Sequence, residues 1–411
     1  MKKVELLAPA GSLAKLKTAI FFGADAVYCG GLNFGLRAGA DNFTIAELKA
    51  GIEFAHQKDK KVYMTLNMIP HNQELAKLPD YLNQIKELQL DALIISDPGV
   101  LSLVKKSMPE MEIHISTQAN NVNWAAALFW AEQGADRIIL ARELGKTEIN
   151  EITAKTKNQA EIEVFVHGAM CISYSGRCLL SNYLVGRDAN KGDCAQSCRW
   201  QYHLVEAKRP GEYYPIVENE QGTFIMNSRD LNLAEEIPEL IEAGVSSLKI
   251  EGRMKSIHYT ATVVNTYRQL IDGYYADPAH YQPDPDLLAE LTKISHRDYT
   301  KGFYYGKPGS DGQRYQSSSY VRSYDFMGVI RDYDLKKAEI LVEVRNKIFT
   351  GDQLEIITPG RKSFTIRVDY LIDQASDQQI ETAPHPKQLV RIPAPDFIKP
   401  GSLLRRIKED Q

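Results

Sequence analysis

Four of the five cysteines in the sequence lie within 28 residues, at Cys171, Cys178, Cys194 and Cys198. Their spacing is C-x6-C-x15-C-x3-C, and the last two are one helical turn apart, so both thiols can face one point. Four converging thiolates suit either Zn2+ or an iron–sulfur cluster. Structural zinc sites usually combine two closely spaced cysteine pairs, and this segment has only one, so the spacing favours an iron–sulfur cluster.

Two other interpretations of these cysteines stay open. Free cysteine is among the most buried residue types, so the four thiols could be small core side chains. They could also form disulfides, which would require an oxidising compartment. The segment around them is rich in Gly and Asp, and this composition favours metal ligands. The fifth cysteine, Cys29, lies in an apolar run and is predicted to be a core residue.

Polar side chains with catalytic potential follow the apolar runs that we interpret as strands. The candidates for catalysis are Asn67, Arg142, His167 and Glu251. His167 would suit a proton carrier, an RNA contact or a hydrogen-bond donor to a cluster sulfur. A purely structural histidine is the alternative.

Side chains suited to an anionic ligand occupy similar positions. Arginine is the preferred bidentate partner of carboxylates. The candidates for substrate binding are Arg37, Gln118, Arg229, Lys249 and Arg253. For any single arginine the alternative is a surface salt bridge, and for Lys249 it is an ion pair with Glu251 inside the barrel.

Eight apolar runs alternate with longer helical patterns, at a spacing typical of βα units. The predicted strands are Val4–Ala8, Ala26–Gly30, Val62–Asn67, Ala92–Ser96, Glu112–Ser116, Arg137–Ala141, Glu161–Val166 and Ser247–Glu251. Eight such units favour a closed, TIM-like (β/α)8 barrel over an open doubly wound sheet. Because barrel enzymes carry their sites where the strands end, the candidate residues would share one mouth.

The domain organisation follows from where this alternation stops. The barrel domain is predicted at 1–298, with a cysteine-bearing insertion at 168–226 after strand seven that includes a hairpin at roughly Tyr202–Met226. A linker is predicted at 299–322. Short β segments fill 323–411 and predict a small antiparallel β-barrel domain.

Bulk composition excludes some classes of protein. The formal net charge is −4, so the whole molecule is not an electrostatic binder of nucleic acid. We find neither a signal peptide nor an apolar stretch long enough to span a membrane, and we predict no membrane partner. The protein is therefore expected to be cytoplasmic, a compartment in which clustered cysteines are more often metal ligands than disulfides.

Several long motifs resemble peptidase family U-32, the collagenase-like proteins. They are residues 163–178 (EVFVHGAMCISYSGRC), 186–200 (GRDANKGDCAQSCRW), 5–12 (ELLAPAGS) and 247–255 (SLKIEGRMK). The resemblance covers residues 1 to about 310. A C-terminal domain is a common appendage in this family.

The resemblance implies a particular chemistry. The most similar members are tRNA hydroxylation proteins, which form 5-hydroxyuridine at the wobble position without O2 and draw on prephenate. By similarity, the four clustered cysteines would be ligands of a 4Fe–4S cluster. The implied partners are tRNA, prephenate as a small anionic co-substrate, and a paralogous companion protein.

The family name implies proteolysis instead, and the sequence gives that reading less support. Zinc-peptidase and serine-hydrolase motifs are absent from the sequence. A thiol protease pairing Cys171 with His167 would leave three cysteines unexplained. A third class is a non-enzymatic RNA-binding module with structural zinc.

An RNA contact is predicted where tyrosines alternate with cations. Tyr299, Tyr304, Tyr305, Tyr315 and Tyr320 lie near Lys and Arg residues in the sequence. Such aromatics can stack on single-stranded RNA. A tyrosine-rich domain interface explains the same residues equally well.

Overall fold

The computed structural model describes residues 3–35, 42–171, 173–174, 177–200, 218–219, 222–223, 228–308 and 320–408. The chain divides into two compact units. The first comprises Met1–Lys17, Asp25–Lys255 and Arg297–Tyr320, and the second comprises Thr18–Ala24, Ser256–His296 and Val321–Gln411. In the described part of the chain, no helix has the length and apolar character needed to cross a membrane.

The first unit is built around parallel strands. Its strands are β1 (Glu5–Pro9), β2 (Ala26–Gly30), β3 (Lys61–Leu66), β4 (Ala92–Ile95), β5 (Glu112–Ile115), β6 (Arg137–Ile139), β7 (Glu161–Ala169), β8 (Glu218–Asn219), β9 (Gly222–Thr223), β10 (Asp230–Asn232), β11 (Ser247–Ile250) and β12 (Tyr299–Thr300). Its helices are α2 (Ile45–His56), α3 (Asn72–Leu75), α4 (Leu78–Ile85), α5 (Pro98–Ser107), α6 (Trp124–Glu132), α7 (Lys146–Thr156), α8 (Leu180–Val185) and α9 (Ile237–Glu242), and α1 (Leu13–Phe21) begins in this unit.

A closed barrel forms because the last of the parallel strands returns to the first. Strands β1 to β7 pair in chain order, and β11 pairs in parallel with both β7 and β1. The strands are short apolar runs, such as the fully buried β2 and β4, that are covered on both faces. The predicted (β/α)8 barrel is confirmed, and its eight strands begin within one residue of the positions predicted.

Helix starts in this unit follow local capping chemistry. Thr44 accepts a hydrogen bond from Glu47 N–H in a capping box at α2, and the Asp97 carboxylate caps α5 before Pro98. Asn123 caps α6 in the same way. These caps fix where each strand-to-helix loop ends, and those loops form the mouth of the barrel.

The cysteine-bearing insertion follows an unusually long strand. Strand β7 continues to Ala169, and its end pairs antiparallel with β10, which in turn pairs with β12. Within the insertion, β8 and β9 form a short antiparallel pair that falls inside the predicted hairpin. Most of the predicted hairpin lies outside the described residues. Strand β12 and the buried Tyr304 belong to the first unit, although both fall in the segment predicted as a linker.

The second unit is mainly antiparallel β-sheet. Its strands are β13 (Tyr324–Asp334), β14 (Glu339–Val344), β15 (Ile348–Phe349), β16 (Gln353–Ile357), β17 (Phe364–Arg367), β18 (Leu371–Asp373), β19 (Gln379–Ile380), β20 (Thr382–Ala383), β21 (Leu389–Pro393) and β22 (Leu403–Ile407), and its helices are α10 (Ile257–Ala276) and α11 (Pro285–Glu290). Eight strands form one sheet in the order β17-β16-β22-β13-β14-β21-β18-β19. The sheet curls around an apolar core that includes Met327, Ile356 and Leu404, so the predicted β-rich C-terminal fold is confirmed.

Candidate active site

Two cavities of the first unit open where the barrel strands end. The smaller, of about 50 Å³, lies over the strand ends and is lined by residues such as Asn67, Lys249 and Arg253. The larger, of about 250 Å³, is bounded by the insertion and the segment after β11. Gln118, Arg142 and Glu251 line both cavities. The two spaces therefore adjoin, and these three side chains stand where they meet.

All four clustered cysteines line the larger cavity. Cys171 and Cys194 are exposed, while Cys178 and Cys198 are half-buried, so none is a core residue. The Cys171 Sγ lies 3.7 Å from the Ser173 Oγ. The Cys194 Sγ accepts a hydrogen bond from the Gln196 N–H at 3.4 Å. The four cysteines that cluster in the sequence therefore face one space, and their role as metal ligands stays a prediction.

The local geometry of the last two cysteines differs from the prediction. Cys194 and Cys198 do not share a helical turn, because Gln196 between them has a φ of +54° and a short 3-10 turn begins only at Ser197. In the described part of the chain, no three His, Cys, Asp or Glu side chains are already arranged around a metal position. The donor set nevertheless suits a thiolate-bound metal centre, because four accessible thiols line one cavity.

Two arginines bring positive charge to the smaller cavity. The Arg142 Nη1 donates to the Ala169 carbonyl at 2.6 Å, and its guanidinium lies over the Phe165 ring. Arg253 is buried, and its Nη2 donates to the Asn42 Oδ1 at 2.6 Å. A Cβ on Gly30 would lie 2.2 Å from that Nη2, so only glycine leaves room for this arginine.

Two further predicted catalytic residues line the same small cavity. The Asn67 Nδ2 donates to the Ser116 Oγ at 3.3 Å, which orients the amide. The Glu251 Oε2 accepts a hydrogen bond from the Tyr28 hydroxyl at 3.1 Å. The structure therefore brings Asn67, Arg142 and Glu251 together, as the strand-end rule predicts.

The Lys249 side chain points into the barrel and forms an ion pair there. Its Nζ lies 2.7 Å from the Glu163 Oε1, and both side chains are almost fully buried. Burial favours the protonated form of Glu163, but the charges of Lys249 and Arg137 outweigh this effect and hold the pKa of Glu163 below its ordinary value. Lys249 is thus ion-paired within the fold, but with Glu163 rather than with Glu251, the partner that the sequence suggested, and it also lines the small cavity.

His167 is not brought together with the other candidates. The pairing of β7 with β11 shifts register, so that Phe165 lies opposite Lys249 but His167 lies opposite Ile250. This bulge turns His167 away from the face that carries Phe165 and Lys249. The histidine is buried with its ring 5.3 Å from that of Tyr299, and it lines neither cavity.

Two of the predicted arginines are not placed at the site. Arg37 lies outside the described residues. Arg229 is half-buried just before β10 and lines neither of the two cavities. For both arginines, binding of an anion remains a prediction.

The tyrosine-rich segment does not form one open surface. Tyr304 is buried and donates its hydroxyl proton to the Glu239 carboxylate at 3.0 Å. Lys301 pairs with Glu235 and Glu236. These contacts are internal to the first unit, whereas the alternative predicted from the sequence was an interface between domains. Tyr305 stays exposed, and Tyr315 lies outside the described residues.

Two further residues line the larger cavity: Lys255, which the sequence did not single out, and Tyr320, which was predicted only as an RNA contact. Lys255 follows β11, and its Nζ lies 4.1 Å from the centroid of the Tyr320 ring. Burial lowers the pKa of Lys255, and the carboxylate of Asp230 offsets this only in part. Lys255 ends a quoted motif and could have been noticed. Tyr320 comes from a distant segment, and no local pattern places it here.

The fold and the site define a class, namely (β/α)8-barrel proteins with a cysteine-lined cavity at the catalytic end of the barrel. Models of two families match the chain, peptidase family U32 over residues 11–314 and the peptidase family U32 C-terminal domain over residues 322–405. The chain belongs to peptidase family U32.

Characterised relatives are similar over most of the chain. The tRNA hydroxylation protein P1 of Bacillus subtilis is 43% identical over 407 residues, which cover 99% of this chain and 96% of the relative. The tRNA hydroxylation protein P of Escherichia coli is 39% identical over 441 residues, covering 97% and 95%. A 23S rRNA 5-hydroxycytidine synthase of Escherichia coli is 33% identical over 361 residues, covering 86% of this chain and 52% of the relative.

Proposed function

We propose that this protein hydroxylates uridine in tRNA, with the wobble uridine as its target and 5-hydroxyuridine as its product. The observation that carries the proposal is the cavity onto which all four clustered cysteines open, at the catalytic end of a barrel. Full-length similarity to two tRNA hydroxylation proteins supports it. A third relative is a synthase of 5-hydroxycytidine, another pyrimidine hydroxylated in RNA.

In this proposal Cys171, Cys178, Cys194 and Cys198 hold a 4Fe–4S cluster. When bound, such a cluster supplies one-electron redox chemistry. Zinc, the alternative, has no redox chemistry and would leave oxidation of the base without an electron acceptor. The exposed and half-buried thiols can exchange protons with solvent and bind metal as thiolates.

The small cavity is proposed to hold the carboxylate end of an anionic co-substrate, for which prephenate is our candidate, and the hydroxylation is proposed to proceed without O2. Arg142 lies at the junction of the two cavities, and its guanidinium can donate to a carboxylate while anchored on the Ala169 carbonyl. Arg253 is held rigidly by Asn42 and adds positive charge. Because Glu251 is acidic and shares this space, it suits proton transfer better than anion binding.

The peptidase reading is less well supported by the geometry. A thiol protease needs a base beside its nucleophile. His167, the histidine nearest to Cys171 in sequence, lines neither cavity, whereas Cys171 faces the larger one. No observation therefore favours a second candidate function.

A deletion strain tests the proposal directly. Its tRNA should lack wobble 5-hydroxyuridine, as measured by mass spectrometry of nucleosides, and a plasmid copy of the gene should restore it. In a host with no second copy, unchanged 5-hydroxyuridine would refute the proposed function.

The anaerobically purified protein should be brown and absorb broadly near about 400 nm, as iron–sulfur proteins do. A colourless protein that contains zinc would contradict the cofactor assignment. The need for a paralogous companion can be measured in the same strain by co-expression.

A further inference from the structure

The loop between β5 and α6 carries buried polar atoms with no partner in the described part of the chain. They are the Thr117 Oγ1, the Gln118 Oε1 and both amide atoms of Asn121. Gln118 is only 8% exposed. A buried carbonyl oxygen that makes no hydrogen bond costs on the order of 1–3 kcal/mol, so its persistence in a fold calls for an explanation.

Gln118 is held in place although its side-chain oxygen is not satisfied. The Ser116 Oγ accepts its backbone N–H at 3.3 Å, and its own carbonyl accepts from the Asn120 Nδ2 at 3.3 Å. Asn120 has a φ of +56°, which ends the 3-10 turn Thr117–Ala119. The amide is therefore presented by a fixed backbone at the junction of the two cavities.

The unsatisfied atom restricts the chemistry of any ligand that could reach it. A carbonyl oxygen needs a hydrogen-bond donor, whereas carboxylates and thiolates only accept. A carboxylate held by Arg142 therefore does not satisfy the Gln118 Oε1. A flat ring with an N–H next to a carbonyl does so, because an amide can accept from the N–H and donate to the carbonyl at the same time.

We propose that the Gln118 amide recognises the Watson–Crick edge of the target uracil, with Oε1 accepting the N3–H and Nε2 donating to O4. This inference rests on the proposed function and adds the residue that selects the base. Proteins that act on a base commonly extrude it and pair with this edge. In this pose C5 lies next to C4, whose O4 bonds to Nε2, so C5 makes no contact with the amide and stays open to the larger cavity, which Gln118 also lines.

The test compares two probes and two variants of the full-length protein. The probes are anticodon stem–loop RNAs that carry either uridine or 3-methyluridine at the target position, since the methyl group replaces the N3–H donor and adds bulk at that edge but leaves O4 in place. The wild type is expected to bind the 3-methyluridine RNA about tenfold or more weakly, the effect of one unsatisfied buried acceptor. Gln118→Leu should bind the uridine RNA about tenfold more weakly and should no longer distinguish the two probes.

Gln133→Leu is the matched control, because it makes the same change at an exposed position just after α6. It should behave as the wild type does. Equal binding of both probes by the wild type would overturn the inference, even if Gln118→Leu failed to fold. Retained discrimination in a folded Gln118→Leu would overturn it as well. If the wild type formed no 5-hydroxyuridine in cells, the proposed function itself would fall, which is a separate outcome.

Discussion

At the scale of single residues, the five cysteines differ in their surroundings. Cys29 is fully buried in β2, and burial raises the pKa of its thiol to about 12, so it stays protonated. The four cysteines of the larger cavity are exposed or half-buried. Metals bind thiolates, and accessible thiols form them far more readily than a fully buried one does. Cys29 is therefore a control cysteine for experiments on the other four.

If the proposed cluster is bound, replacing any one of Cys171, Cys178, Cys194 and Cys198 by alanine should remove most of the iron, because each would be a ligand of the same centre. The same variants should lose 5-hydroxyuridine to the level of the deletion strain. Iron content per chain and nucleoside mass spectrometry measure the two effects. Cys29→Ala should keep both. If only Cys171→Ala were inactive while the other variants were normal, a nucleophilic cysteine would replace the shared cluster as the explanation.

The polar candidates show what residue patterns reveal and what they miss. Asn67, Arg142 and Glu251 were predicted because each follows a strand, and the structure places all three on the small cavity. His167 satisfied the same rule but lies elsewhere, because a bulge reverses the face of β7 just before it. A bulge depends on the partner strand, so the sequence of β7 alone does not reveal it.

At the scale of secondary-structure elements, helix α10 of the second unit contains a buried histidine. The His258 ring stacks on Phe326 at 5.9 Å, and its Nε2 has no hydrogen-bond partner among the described residues. Burial, together with the charge of Arg405, lowers the pKa of His258 to about 3, far below the ordinary value of about 6.5. The folded state therefore holds this histidine neutral.

Acid should weaken the second unit through this side chain. Because the pKa is lower in the folded state, the unfolded chain binds more protons below about pH 6.5, and stability falls as the pH falls toward 3. Between pH 6.5 and pH 5 the expected loss of unfolding free energy is about 2 kcal/mol. His258→Leu should remove this loss, as measured by urea unfolding at both pH values. An equal loss in the variant would assign the acid sensitivity to other groups.

The elements themselves were largely predictable. Barrel strands are apolar runs because helices cover the sheet on its outside and packed side chains fill its inside, and such runs are visible in a single sequence. The pairing of the end of β7 with β10 was not predictable, because it joins residues about 65 apart across the insertion. Non-local pairing of two or three residues leaves no periodic signal.

At the scale of the whole molecule, the compact units do not follow the chain in order. Ser256–His296 belongs with the C-terminal strands, so the helix after the last barrel strand is part of the second unit. Within that unit, the Asn265 Nδ2 donates to the Thr358 carbonyl, and Glu290 pairs with the fully buried Arg405. A change in the hydrophobic pattern along a sequence marks where strands replace helices. It does not show which helix packs on those strands, because that depends on contacts far apart in the chain.

Closure of the barrel depends on a buried charge network that joins distant strands. Arg137 on β6 pairs with Glu5 on β1 at 2.5 Å, with Glu161 at 2.6 Å and with Glu163 at 3.1 Å, the last two on β7. Arg137→Met should lower the free energy of unfolding by about 3–5 kcal/mol, because it leaves carboxylates in the barrel without their cation. Urea unfolding followed by circular dichroism measures this loss.

A second substitution can show whether the loss of stability comes from an unpaired buried charge or from lost packing. Glu5→Gln in the Arg137→Met background removes one carboxylate but keeps a side chain that can bond to Ser247. The double variant should recover about 1 kcal/mol or more relative to additive behaviour, the coupling expected for side chains in one network. Lys155→Met, which breaks an exposed pair with Glu151, should cost at most about 1 kcal/mol. Additive losses for Glu5→Gln and Arg137→Met would show that packing by the arginine stem, rather than its charge, holds β1 and β6 in the closed barrel.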